Sequence, residues 1–242
     1  MKKRGQFAAF GTLFLCVTLL FSFLCERASL LADVADVEAK NAPVIILDAG
    51  HGGEDGGATG VTGVLEKDLN FSLTEKLYEL LKIAGYTVIR TRTEDRLLCA
   101  EDTPKGRRKQ GDLAGRLAVA NAYPNSVFIS LHMNTFPNNT CRGAQVWYSQ
   151  NDEASLSLAN AVQTKIKETL QKDNHRKVKA ATSNIYLLRH ATTPAILIEC
   201  GFLTTPDECA LLSSEAYQRA LALAIFSAIC DKMPCESVPS ML

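Results

Sequence analysis

Two of the four histidines close apolar runs, and so does one glutamate. VIILDAGHGGEDGGA (44–58) carries four apolar residues into Asp48 and then sets His51 among five glycines. VFISLH (127–132) ends in His132 and AILIE (195–199) ends in Glu199. Each of the three terminal groups can bind a metal or move a proton. Glu66 lies one glycine-rich loop after His51, where the loop can fold it back over the same edge. Two neutral imidazoles and one carboxylate suit Zn2+ and leave a fourth position for water. In that reading His51, Glu66 and His132 are metal ligands, and Glu199 is the general base that takes a proton from water and returns it to a leaving amine.

Each residue has a plainer reading when taken alone. A histidine after a strand can be a hydrogen-bonded loop residue, and Glu66 can be a first-turn helix residue favoured by the dipole. Glu199 is harder to dismiss, because an ionised carboxylate closing a buried strand needs a cation or a partner. A phosphate cradle is the competing reading of the glycines, but GxxxxGK[ST] is absent and Asp55 occupies the last glycine position of GxGxxG. Asp48 is a candidate acceptor for a ligating imidazole or a backbone cap. Asn134 is a candidate to orient a ligand or touch substrate, or a turn residue. His175 reads as surface, and His190 as a weaker substrate contact. Arg92 and Asp95 read as a structural ion pair, and Trp147 as core-facing or on a sheet face.

The groups converge only if the elements bearing them alternate. VIIL (44–47), TVIRT (87–91), SVFISL (126–131), AQVWYS (144–149) and AILIE (195–199) read as strands. Leu69, Leu73, Leu77, Leu80, Leu81 and Ala84 recur at helical spacing, with Gly85 placed to cap. Asp112 is placed to cap a helix reaching about Ala122. A long helix follows from about Asp152 to Leu170, YLL (186–188) reads as strand-like, and Leu221, Ala224, Ile225, Ala228 and Ile229 mark a C-terminal helix. The alternation predicts a single α/β domain with a twisted, mostly parallel or mixed sheet flanked by helices. Sites in such sheets form beyond the carboxyl ends of the strands. KGRRK (105–109) is the one dense basic run, read as a solvated loop or as a contact for an anionic polymer or partner.

The 242 residues carry 26 basic and 26 acidic side chains. Lys2, Lys3 and Arg4 precede an uncharged stretch from Phe7 to Cys25, so the remainder has no basic excess, which speaks against a nucleic-acid binder. That stretch approaches the roughly 20 residues needed to span a bilayer. Residues 1–25 are therefore expected to be a signal-anchor, 26–42 a linker, 43–234 the catalytic domain and 235–242 a tail. The basic lead keeps the N-terminus in the cytoplasm and the body outside, anchored, or secreted if the signal is cleaved. Six cysteines lie in the body in no CxxC pair, and no bridge is assigned.

LDAGHGGEDGGATG, VLEKDLNFSL, GYTVIRTRTED, FISLHMN and YLLRHATTPAILIECGFLTTPDE, in this order, resemble the zinc-dependent N-acetylmuramoyl-L-alanine amidases of the amidase 3 type across about residues 43–232. The resemblance implies a roughly six-stranded sheet, zinc on His51, Glu66 and His132, and a catalytic Glu199. The implied reaction cleaves the amide between the lactyl group of N-acetylmuramic acid and L-alanine of the peptidoglycan stem peptide. Ala49 stands where the family commonly has proline, and Thr204-Thr205 where Ser-Asn is common. An anchor, one catalytic domain and no wall-binding repeat resemble the spore-cortex, germination-specific members. Another zinc peptidase acting on stem peptides, and a non-catalytic wall-binding or activator protein that keeps the fold, are the alternatives. Only 66 residues separate His132 from Glu199, too few for an added blocking helix, so an open site or control by a partner protein is expected.

Overall fold

The computed structural model describes residues 44–234 together with Leu20, Ser22 and Phe23. The expected anchor lies almost wholly outside the described residues, and so do the linker and the tail. Among the described residues no helix is long and apolar enough to cross a membrane.

Strand β1 (Val44–Ala49) is buried from Ile45 onward and feeds through the glycine loop into α1 (Glu66–Ile83). Then come β2 (Val88–Arg90), a 3-10 turn (Lys105–Arg107), α2 (Arg108–Asn121), β3 (Ser126–Asn134) and β4 (Gln145–Tyr148). Helix α3 (Glu153–Thr169), β5 (Lys179–Ala180), α4 (Tyr186–His190), β6 (Ala195–Phe202), α5 (Pro206–Leu212) and α6 (Glu215–Lys232) complete the order. They form one α/β domain around a six-stranded mixed sheet of order β2-β1-β3-β6-β4-β5. Strands β2, β1, β3 and β6 run parallel, and β4 runs antiparallel to β6.

The two faces of the sheet follow the period-two alternation of the strands. Ile45, Leu47, Ile129, Leu131, Ile196 and Ile198 face the main core, where Leu69, Leu73, Leu77 and Leu81 of α1 and Leu221, Ile225 and Ile229 of α6 cover them. Ile46, Phe128, Ala195 and Leu197 face a smaller cluster that includes Leu187 and Leu188 of α4. Asp48, Ser130, His132 and Glu199 share the parity of this second face. Asp48 and Ser130 are fully buried there, satisfied by each other and by Arg116.

The helix over α3 begins and ends where its spacing predicts, with Asp152 accepting from the Ala154 N–H at 2.7 Å as its cap. Gly85 closes α1 at φ 89°. Three expectations are corrected. Helix α2 starts at Arg108, so Asp112 lies inside it, and its carboxylate accepts from Leu98 N–H and from Arg116 instead of capping. YLL is helical, since three apolar residues carry no period that separates helix from strand. Strands β3 and β6 run on to Asn134 and Phe202, so His132 and Glu199 stand inside strands. A bulge there sets two steps of β3 against three of β6.

One buried ion pair fixes the exit of β1. Arg116, on α2, donates to Asp48 Oδ1 at 2.6 Å, to the Ala49 carbonyl at 2.8 Å and to the His51 carbonyl at 2.6 Å. Both side chains are buried. Burial would raise the Asp48 pKa, but the Arg116 charge and hydrogen bonds from Ser130 and Thr91 hold it below the usual carboxylate range. Arg92, expected to pair with Asp95, instead donates to the carbonyls of Ala49 and Lys67, while Asp95 pairs with Lys67 at 2.6 Å. Removing one member of a buried pair leaves the other uncompensated, at a cost of about 3–5 kcal/mol. Arg116→Leu is therefore expected to lower urea-unfolding stability by that amount. A loss under 1 kcal/mol would show that the pair is not the clamp described.

Candidate metal centre

Parallel register brings the sites at the ends of the runs together. His132 on β3 is the direct cross-strand partner of Glu199 on β6, and Ala49 on the neighbouring β1 pairs with Leu131. His51 follows two residues after β1. It is the one non-glycine residue with positive φ (62°) among the described residues. A left-handed conformation costs such a residue about 1–2 kcal/mol. The Arg116 bond to the His51 carbonyl holds it there.

Glu66, in the first turn of α1, ties the two imidazoles. Its Oε2 lies 3.2 Å from His51 Nε2 and its Oε1 lies 3.0 Å from His132 Nδ1. It also accepts the N–H groups of Ala58 at 2.9 Å and Met133 at 3.1 Å. One donor atom each from His51, Glu66 and His132 lies within 4.8 Å of the others. Two glycines are required by this closeness. A side chain at Gly50 would begin 2.2 Å from the His132 ring, and one at Gly57 would begin 2.6 Å from Glu66 Oε2.

Charge is concentrated in the cluster. Burial would lower the His51 pKa, but its hydrogen bonds to Glu66 and Asp55 and their charges raise it to about 9. Glu66 is held far below the usual carboxylate range. Burial opposes this, and the bonds and charges of His132 and His51 dominate. Glu199 is pushed up, first by burial and then by the Glu66 charge, against the pull of the imidazoles. Its Oε2 is buried without a hydrogen-bond partner among the described residues. An orphaned carboxylate oxygen beside two imidazoles and a second carboxylate fits a centre completed by a cation and a solvent molecule. The His51 and His132 side chains are 20% and 18% exposed, so the cluster is open to water.

Asp48 does not reach an imidazole; Thr91, Ser130 and Arg116 occupy its carboxylate. Asp55 meets His51 instead, with Oδ2 2.9 Å from Nδ1. Its role could not be read from spacing, because positive φ at His51, Gly52 and Gly53 and the backbone pairing of Gly52 with Asp55 bring residue i+4 back to the ring. Asn134 ends β3, and its carbonyl accepts from Leu203 N–H at 2.8 Å. His190 lies at the opposite edge, where its carbonyl accepts from Asn121 at the end of α2. Trp147 lies on the second face of the sheet, under the Lys179 ammonium. Cys200 is buried in the core, and burial pushes its thiol well above the usual range, outside any chemistry here.

A model of the N-acetylmuramoyl-L-alanine amidase family matches residues 45–231. The germination-specific N-acetylmuramoyl-L-alanine amidase of Bacillus subtilis is 37% identical over 188 residues, covering 77% of this chain and 78% of the relative. Among solved structures, the CwlD amidase of Clostridioides difficile in complex with the GerS lipoprotein superposes with a TM-score of 0.75 at 37% identity, over 78% of this chain and 98% of that one. The amidase AmiC2 of Nostoc punctiforme gives a TM-score of 0.67 at 28% identity, over 78% and 96%. Strand order, the clustered histidines and these matches lead to one assignment: the chain belongs to the N-acetylmuramoyl-L-alanine amidase family.

Proposed function

We propose that this enzyme is zinc-dependent and hydrolyses the amide joining the lactyl group of N-acetylmuramic acid to L-alanine of the peptidoglycan stem peptide. The observation that carries this reading is the convergence of His51, Glu66 and His132 within 4.8 Å, with Glu199 paired in register to His132. The germination-specific relative supports a role in spore cortex maturation. The basic lead and uncharged stretch of residues 2–25 support action at the extracytoplasmic face of the membrane, with that segment as anchor.

His51, Glu66 and His132 would hold the ion. When bound, zinc supplies Lewis acidity toward the amide carbonyl and toward water. The other work falls to the chain. Asp55 fixes the His51 ring through Nδ1, which leaves the Nε2 that faces Glu66 free to serve as ligand. Glu199 has a raised proton affinity and an uncommitted oxygen, the two properties a base needs to accept a proton from water and hand it to the departing alanine nitrogen. Helices α3 and α4 take up the chain between His132 and Glu199, and among the described residues nothing there plugs the cluster. An open site, or control by a separate protein, fits that arrangement. The C. difficile relative was solved with a lipoprotein, and a lipoprotein is the class of partner we assign.

Glu199→Gln is expected to keep one zinc per chain and to lower kcat on purified peptidoglycan roughly 100- to 10,000-fold. Activity within tenfold of wild type would remove Glu199 from its role. His51→Ala and His132→Ala should each lose the metal by elemental analysis, and full occupancy in both would contradict the ligand set. Mass analysis of products should find free lactyl ends on the glycan; shortened stem peptides in their place would make the enzyme a peptidase.

Metal uptake should also depend on pH with a definite sign. In the metal-free protein His51 stays protonated up to about pH 9, and only the neutral ring can coordinate. Zinc binding at pH 7 should therefore expel a proton, and affinity should rise with pH toward 9. Calorimetry in buffers of different ionisation enthalpy counts that proton, and pH-independent affinity between 6 and 9 would contradict a proton held on His51.

A further inference from the structure

Arg176 lies in the loop between α3 and β5 and is held more firmly than a surface arginine needs to be. Its backbone N–H donates to Asn174 Oδ1 at 2.9 Å, its Nε to the Arg142 carbonyl at 2.9 Å and its Nη1 to Gln145 Oε1 at 3.1 Å. Its guanidinium lies over the Phe202 ring, 4.6 Å from the centroid. The supports are themselves fixed. Asn174 is buried and donates to the Ala144 carbonyl and to Gln171. Phe202 is buried, and its N–H donates to Glu208 at 2.8 Å. Gln145 is buried and donates to the Lys177 carbonyl.

These supports stand on the face of the metal centre. Gln145 on β4 is the direct cross-strand partner of Glu199, so the two side chains leave the sheet on the same side. The bulge in β6 pairs Phe202 with Asn134, which brings Phe202 onto that side as well. One strand spacing, about 4.8 Å, and one glutamine side chain separate the Arg176 guanidinium from Glu199. Arg90, Arg108 and Arg116 each meet a carboxylate. Arg176 meets none within 4.0 Å among the described residues, and its Nη2 donates to no protein atom there. A preorganised guanidinium with a free edge, mounted beside a general base, is built to receive a planar anion from outside the protein.

We infer that Arg176, stacked on Phe202 and braced by Gln145, is a specificity-determining residue that binds a free carboxylate of the stem peptide on the leaving side of the scissile amide. The inference rests on the amidase reading above. The nearest such group is the α-carboxylate of a γ-linked D-glutamate after L-alanine. Two residues of extended peptide span about 7 Å, comparable with the separation just described. The plainer alternative is structural: Arg176 would merely offset the buried Glu208 carboxylate, whose pKa its charge helps to hold down against burial.

The test uses two soluble muropeptides that differ only at the second stem residue, one with the free α-carboxylate and one with its α-amide, and the zinc-loaded full-length chain. Arg176→Gln should raise KM for the acid at least tenfold with kcat little changed, and should leave KM for the amide unmoved, so that discrimination between the two disappears. Arg176→Lys, which keeps the charge and the aliphatic stem, should give an intermediate KM on the acid alone and serves if the glutamine variant folds poorly. Equal losses on both substrates would make the role structural and overturn the inference, as would unchanged KM on both. Wild-type cleavage of neither substrate would overturn the amidase reading itself, and the Arg176 inference with it; cleavage of both without discrimination would overturn only the latter.

Discussion

A salt bridge in the dry interior governs where this cluster stands. Asp48 sits at the end of β1 with no exposure, and Arg116 comes from a helix formed much later in the chain to meet it. Because the same guanidinium also takes the carbonyls of Ala49 and His51, its position dictates how the chain leaves the sheet. The strained backbone of His51 is the consequence. Strain at a single residue persists only where the surroundings over-determine it, and three bonds from one buried side chain meet that condition. Such a pair adds little net stability against an apolar replacement of both partners. Its value here is directional: it aims one imidazole.

Glu66 does the complementary work from the other side of the glycine loop. Five groups converge on its two oxygens, namely two imidazoles, two backbone N–H groups and the Asn70 amide. The loop can close this tightly only where side chains are missing, at Gly50 beneath the His132 ring and at Gly57 against Glu66. Parallel pairing of β1, β3 and β6 supplies the rest of the geometry without any special residue, since adjacent parallel strands bring their carboxyl ends to one edge.

Much of this was legible because periodicity and strand ends are local signals. The leucines of α1, the apolar stripe of α6 and the limits of α3 follow from spacing alone. The grouping of His51, Glu66, His132 and Glu199 needed only the assumption that three apolar runs lie parallel. Contacts made across long sequence separations were not legible. Nothing near Asp48 announces Arg116, and Asp112 looks like a cap until Arg116 claims it. Asp55 takes the place beside His51 for which Asp48 was the candidate, since left-handed residues redirect a loop in a way that composition does not encode. The brace around Arg176 depends on a bulge in β6, which shifts side-chain parity within a nearly continuous apolar run that carries no alternation to show it.

Function follows from a division of labour. Rigid strands carry His132 and Glu199, a clamped loop carries His51, and a helix start carries Glu66, so the four groups are preorganised by elements of different kinds. Family membership fixes the class of enzyme, and the cluster says which of its atoms could do the work. X-ray absorption at the zinc edge of the zinc-loaded, wild-type chain tests the central claim most directly. The account predicts a shell of nitrogen and oxygen only, with the multiple-scattering signature of two imidazoles. A sulfur ligand from one of the cysteines, or a shell lacking imidazole, would contradict it.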